Sequence, residues 1–356
     1  MGSNGQGFDG ELSSWDEVRG RVPWPTLILG NGFSVNVWKD FDYDSLYGEA
    51  RKAGLIGPED TALFDHLGAT NFEAILRSVN EAIRVGEALG LERAEEHARY
   101  KSIQAALAKA VQRVHVPPGL VPGETRDIVK AHIVDCRQVF TTSYDLLLYW
   151  AMGWDDDFSD FLDFFWAGTH RDAFDEGTHT FGDDDTRTRV YFLHGALHIA
   201  VMGDDSTCKR RADQSRTLLD SFSLPYRGDE ASRPLIVSES HAGTKERVIA
   251  DNGYLTYCWQ QLADCDSPTV VLGHSLEDQD QHLIDALNTT DRPIAIGIHP
   301  KTTHRDNKSE KHRICAALAD IGEISFFDST THPLTAKQLR VASSGLVRSV
   351  QRSMRR

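Results

Sequence analysis

Four short segments carry residue types that could do chemistry, and each closes an apolar run. The first is LGNGFSVN, Leu29 to Asn36. Gly30 and Gly32 allow a tight turn and close backbone approach. Amides there, ahead of a helix start, suit a diphosphate. Val35 stands where the third glycine of a dinucleotide fingerprint belongs, so the run also reads as a plain strand-to-helix turn. The second is FTTSYDLLLYW, Phe140 to Trp150. Thr142 or Ser143 can cap the next helix, and Asp145 in its first turn suits the helix dipole. The same groups, with Tyr144, stand where a ligand would sit.

The third is FLHGALH, Phe192 to His198. His194 at a strand tip, with Gly195 leaving space beside the ring, is a candidate general base because imidazole titrates near neutrality. A structural histidine is the other reading. His194 and His198 are four apart, as zinc ligands on a helix can be, but no Glu fills the HExxH place and a glycine lies between them. No metal is expected. The fourth is LGHSLEDQDQHL, Leu272 to Leu283. Gly273 opens a turn, and Ser275 with Asp278 fits a capping box. Alternatively Ser275, Asp278 or Asp280 contacts ribose hydroxyls.

Short apolar runs position these segments. TLILG (26–30), RQVFTT (137–142), RVYFLH (189–194), PLIVS (234–238), TVVLG (269–273), PIAIGI (293–298) and 324–327 read as strands. Helical spacing lies between most of them, including 252–262 and 278–287. The pattern predicts an α/β fold, a doubly wound, Rossmann-like parallel sheet of about seven strands, with ligands beyond the strands' carboxyl ends. Apolar residues at helical spacing over 60–118 predict two or three inserted helices, stopped by Pro117 and Pro118. Residues 1–22 read as a frayed or loosely docked segment, 23–334 as the domain, and 335–356 as a basic tail.

The net charge of −15 disfavours nucleic acid as the main ligand. It is unevenly spread. Residues 151–190 hold 11 acidic and 3 basic residues among Phe158, Phe161, Phe164, Phe165 and Trp166, while the last 20 hold six basic residues and no acid. The 151–188 insertion reads as a solvated amphipathic helix with an Asp-rich turn (Asp183, Asp184, Asp185), or as a lid or oligomer contact. The tail reads as a soluble helix end, or as a segment docking on an acidic surface. The five cysteines form no CxxC pair, which excludes a four-cysteine zinc ribbon. No apolar stretch is long enough for a membrane span and no secretory signal is seen, so a cytoplasmic protein is expected.

In order and position, Gly-x-Gly-Phe-Ser, Thr-Thr-x-Tyr-Asp, Leu-His-Gly and Gly-x-Ser-Leu-x-Asp-x-Asp resemble the sirtuin-like NAD-binding fold. More narrowly, they resemble the bacterial sirtuin-like NAD hydrolases of anti-phage defence. The segment 234–262 shares that likeness, which spans roughly residues 26–300. The resemblance implies NAD+ as substrate, with no metal. Gly30, Asn31, Gly32, Phe33 and Ser34 would hold the diphosphate and the nicotinamide-side ribose. Thr142, Tyr144, Gly195 and His274 would complete the NAD+ site, and Asp145 would hold ribose or nicotinamide. His194 would be the general base, and Gly273, Ser275 and Asp278 would hold the adenosine side. Ser143 departs from the family, which has Asn there to position water and ribose; serine makes fewer hydrogen bonds. Either Ser143 works through water, or the enzyme is weakened, or the position carries an inactivating change. The resemblance also implies a homo-oligomer silent until a separate protein partner or phage-derived trigger acts. The alternative is a non-catalytic sensor of NAD+ or ADP-ribose, or a regulatory subunit. A dehydrogenase is disfavoured by the missing third glycine.

Overall fold

The computed structural model describes residues 9–153, 159–165, 172–174, 186–210, 218–222, 228–229, 231–237, 247–277 and 280–341. The core is a seven-stranded parallel sheet. Its strands are β1 (Thr26–Leu29), β2 (Gln138–Thr141), β3 (Phe161–Leu162), β4 (Thr188–Phe192), β8 (Thr269–Leu272), β9 (Ile294–Ile298) and β10 (Ile324–Asp328), in the order β10-β9-β8-β1-β2-β4-β3. Every pairing in it is parallel. β1 lies at the centre, and all four of its residues are buried. The chain winds from β1 to β2 and β4 on one side, then crosses to β8, β9 and β10 on the other. Strand order therefore reverses beside β1, where a crevice opens between diverging connections. This is the doubly wound, Rossmann-like α/β fold.

The fourth expected strand departs from that plan. It is β7 (Arg233–Ile236), and it pairs antiparallel with β5 (Gly195–Val201) in a separate three-stranded sheet that includes β6 (Thr207–Lys209). A short apolar run reads the same in either setting, so composition could not assign its sheet. Gly195 makes the corner. Its φ is +71°, and a Cβ there would lie 2.0 Å from the Leu235 carbonyl oxygen.

Between β1 and β2 the chain forms six α-helices rather than two or three: α2 (Asn31–Val37), α3 (Tyr43–Lys52), α4 (Pro58–Leu67), α5 (Phe72–Ala88), α6 (Ala94–Val114) and α7 (Gly123–Val134). α5 buries Phe72, Ile75, Leu76, Val79 and Ile83, and α6 buries Ile103, Leu107, Val111 and Val114, each along one stripe of helical period. Two further corrections concern the flanks. From residue 9 the N-terminal segment is docked. Ser14 and Glu17 form a capping box for α1 (Trp15–Arg19), Ser13 bridges to Phe327, and the Trp15 ring packs 5.0 Å from that of Phe327. Within the acidic insertion, Phe161 to Phe165 are core rather than the face of a solvated helix. Phe161 belongs to β3, Phe164 stacks on Tyr191 at 4.9 Å, and Phe165 meets Tyr254 at the same distance. The sequence period misled there because neighbouring acids mask which aromatics turn inward. Phe158, Trp166, Asp183, Asp184, Asp185 and the tail beyond residue 341 lie outside the described residues. Among the described residues no helix is long and apolar enough to cross a membrane.

Candidate functional site

A cavity of about 310 Å³ opens at the reversal of strand order. Its floor comes from the carboxyl ends of four strands: Asn31 and Gly32 after β1, Thr142 to Asp145 after β2, His194 after β4, and Gly273 to Ser275 after β8. Asp280 joins them from the turn before α11 (Gln281–Asn288), which follows α8 (Leu147–Met152), α9 (Leu218–Ser221) and α10 (Gly253–Ala263). The opposite wall is built by the helices after α2. Tyr43 and Leu46 come from α3, Phe72 and Glu73 from α5, and Leu107 and Val111 from α6. The insertion is thus part of the site.

The glycines serve close backbone approach. Gly30 donates to the Leu272 carbonyl and Gly32 to that of Gly273, at 2.9 and 2.8 Å. A Cβ on Gly30 would sit 2.3 Å from the Gly273 oxygen. Gly273 has φ +71°, and its Cβ would meet the Phe33 nitrogen at 2.5 Å. The Gly32 amide offered to a diphosphate is therefore engaged within the protein. Gly30 and Gly195 shape the backbone beside the cavity, and Phe33 packs in the core. Asp278 lies outside the described residues.

Beneath the floor, the Ser34 hydroxyl donates to Asp145 Oδ2 at 2.5 Å and lies 3.3 Å from Ser143 Oγ. The Leu147 amide donates to Asp145 Oδ1 at 2.8 Å. Burial raises the Asp145 carboxyl above its ordinary range, opposed by these two bonds. Tyr144 ties the loop to its surroundings, its hydroxyl lying 2.9 Å from Glu73 Oε1 and 2.8 Å from the Val237 carbonyl. Burial, then the Glu73 charge, holds this phenol well above its usual range.

His115, at the end of α6, props the same loop. Its Nε2 accepts from the Leu146 amide at 2.8 Å and its Nδ1 donates to the Val116 carbonyl at 2.9 Å, which defines a neutral ring. Burial lowers its pKa to about 4. Since an unfolded histidine titrates near 6.5, the unfolded chain alone gains this proton between those values, and stability falls as pH falls. We expect His115 to account for a loss of about 3 kcal/mol across that window. Denaturant titrations at about pH 7 and about pH 5 should show a smaller difference for His115→Gln than for the parent; equal differences would refute the assignment.

His194 and His282 meet through their Nε2 atoms at 2.9 Å, both buried. One nitrogen donates and the other accepts. His274 Nδ1 accepts from the Leu276 amide at 3.0 Å, so a neutral His274 carries its proton on Nε2, which lies 3.6 Å from Asp280 Oδ2. Leu276 is buried with φ +51°, and Arg313 donates to the carbonyls of both Ser275 and Leu276. The loop after β8 is thus held in a sparsely populated conformation beside the site. His198 has no part in this cluster. It is fully buried and stacks on Tyr149 at 4.3 Å.

Sequence reasoning missed His282, Tyr43 and Glu73. His282 lay within the fourth motif, one position past its helix start, and a third histidine near a strand end was the available signal. Tyr43 and Glu73 had none, since they reach the site only by tertiary packing.

A family model described as Domain of unknown function (DUF4917) matches residues 27–334. The chain belongs to that family. No curated protein matches it. The DUF4917 span begins within β1 and ends just past β10, so it takes in every cavity-lining residue named above.

Proposed function

We propose that this DUF4917 protein is an NAD+ glycohydrolase, an oligomeric effector of anti-phage defence that acts by depleting NAD+. One observation carries the reading. Residues from four motifs spread over some 240 positions line one cavity at the reversal of strand order, and the order of those motifs is the one that resembles the sirtuin-like NAD hydrolases. In the proposed reaction the bond between ribose C1′ and the nicotinamide nitrogen breaks and a water oxygen bonds to C1′. The leaving group departs as neutral nicotinamide, so it needs no strong acid. His194 accepts the proton of the attacking water, with His282 orienting its ring. Asp145, held by Ser34, faces the ribose or nicotinamide, and oxocarbenium-like charge develops beside it.

Ser143 favours a second reading, a sensor that binds NAD+ or ADP-ribose without turnover. Its hydroxyl is turned toward Ser34, where the resembling enzymes present an amide. Nicotinamide release, followed against protein concentration with size analysis alongside, separates the two. The hydrolase reading expects nicotinamide and ADP-ribose in equal amounts, with specific activity rising as the protein assembles. Binding of NAD+ without release at any concentration would establish the sensor. Ser143→Asn is expected to raise turnover about fivefold to tenfold, the worth of one added hydrogen bond. No gain would mean that serine is a working solution here.

A further inference from the structure

We propose that His194, Asp280 and His282 form a binding site for a divalent first-row transition-metal ion. This inference does not rest on the hydrolase reading. One ligating atom from each residue lies within 4.8 Å of the other two, and all three residues are buried. Two nitrogens bound to one ion, each by a bond of about 2.1 Å, stand about 3.0 Å apart at a right angle and about 3.4 Å apart at a tetrahedral one. The observed separation of the two Nε2 atoms is 2.9 Å. To exchange a shared proton for a shared ion, the two rings must turn their lone pairs from each other toward one common point, with the nitrogens parting by at most about half an ångström.

The donor set decides the class of ion. Two imidazole nitrogens and one carboxylate oxygen suit zinc, iron(II), cobalt or manganese, whereas calcium and magnesium prefer all-oxygen shells. The surroundings hold the donors in place. His274 Nε2 stands 3.6 Å from Asp280 Oδ2, and the Trp259 ring lies 4.7 Å from that of His282. Asp280 and His282 are two residues apart at the start of one helix, and His194 stands in the turn that joins β4 to β5. His194 and Asp280 also line the cavity, which leaves further coordination positions facing a small molecule or water. An ion held here would occupy the His194 lone pair that hydrolysis requires, so metal would slow that reaction.

Cobalt(II) titration of chelator-treated, full-length protein without NAD+ tests the site. We expect one equivalent to bind with the visible absorption of nitrogen- and oxygen-ligated cobalt, and zinc to displace it. His282→Ala and Asp280→Asn should each weaken binding at least tenfold while keeping the parent's circular dichroism and melting transition. Absence of stoichiometric binding by the parent protein would overturn the proposal, leaving a proton-sharing histidine pair. So would cobalt spectra and affinities unchanged in both folded variants. Neither outcome depends on whether NAD+ is cleaved.

Discussion

Replacing His194 with alanine is expected to lower nicotinamide release from NAD+ by about 10²–10⁴-fold, the usual contribution of a positioned base. The ring stands in the turn after β4, buried among cavity-lining groups and in hydrogen-bond reach of His282. Removing it takes away the only group given the task of accepting the water's proton, while Asn31, Thr142, Ser143 and Ser275 remain to hold the substrate. The loss should therefore fall on kcat more than on KM. His194→Asn should behave alike, which separates proton acceptance from mere filling of space. An unchanged melting transition is required of both. NAD+ consumption at the parent rate in either variant would end the assignment of His194 as base.

Gly273→Ala is expected to cost about 2–5 kcal/mol of stability, from backbone strain together with overpacking. Gly273 adopts φ +71°, which an alanine resists, and the added methyl would lie 2.5 Å from the Phe33 nitrogen. The backbone cannot yield locally, because the Gly32 amide is bonded to the Gly273 carbonyl and the loops after β1 and β8 are pressed together. Where the chain still folds, the two loops must part and the cavity floor with them, so on the proposed hydrolase reading NAD+ affinity falls too. Gly48→Ala provides the contrast. Gly48 lies inside α3 with nothing within 4 Å of a new Cβ, so the change should stabilise by about 0.5–1 kcal/mol. Denaturant unfolding of both variants checks the pair. Equal stability of Gly273→Ala and its parent would show that the loops are not locked as described.

The central sheet was legible because its strands are buried on both faces. Runs such as TLIL and TVVL are therefore apolar after a single buried threonine, and each is bounded by a glycine or proline. The helices of 60–118 were legible for the same reason in another period: one stripe of Leu, Ile, Val and Phe faces the core. β7 was misplaced because pairing direction leaves no mark on so short a run. The aromatic residues near 161–165 were misread because charge along the chain conceals which side chains turn inward.

By itself, then, the sequence determined the α/β layering, the strand ends where a ligand site belongs, and His194, Ser143 and Asp145 as groups worth testing. Local periodicity and turn chemistry are enough for that, because burial selects residue type position by position. Only the tertiary structure decided what those groups meet. It set His282 and Asp280 against His194, Ser34 beneath Asp145, and Tyr144 beside Glu73. It also pressed the glycine loop after β1 against the loop after β8, with the Gly32 amide bonded to the Gly273 carbonyl. These contacts join residues tens to hundreds of positions apart. They arise from how the helices after β1 fold back over the sheet, which no local pattern encodes.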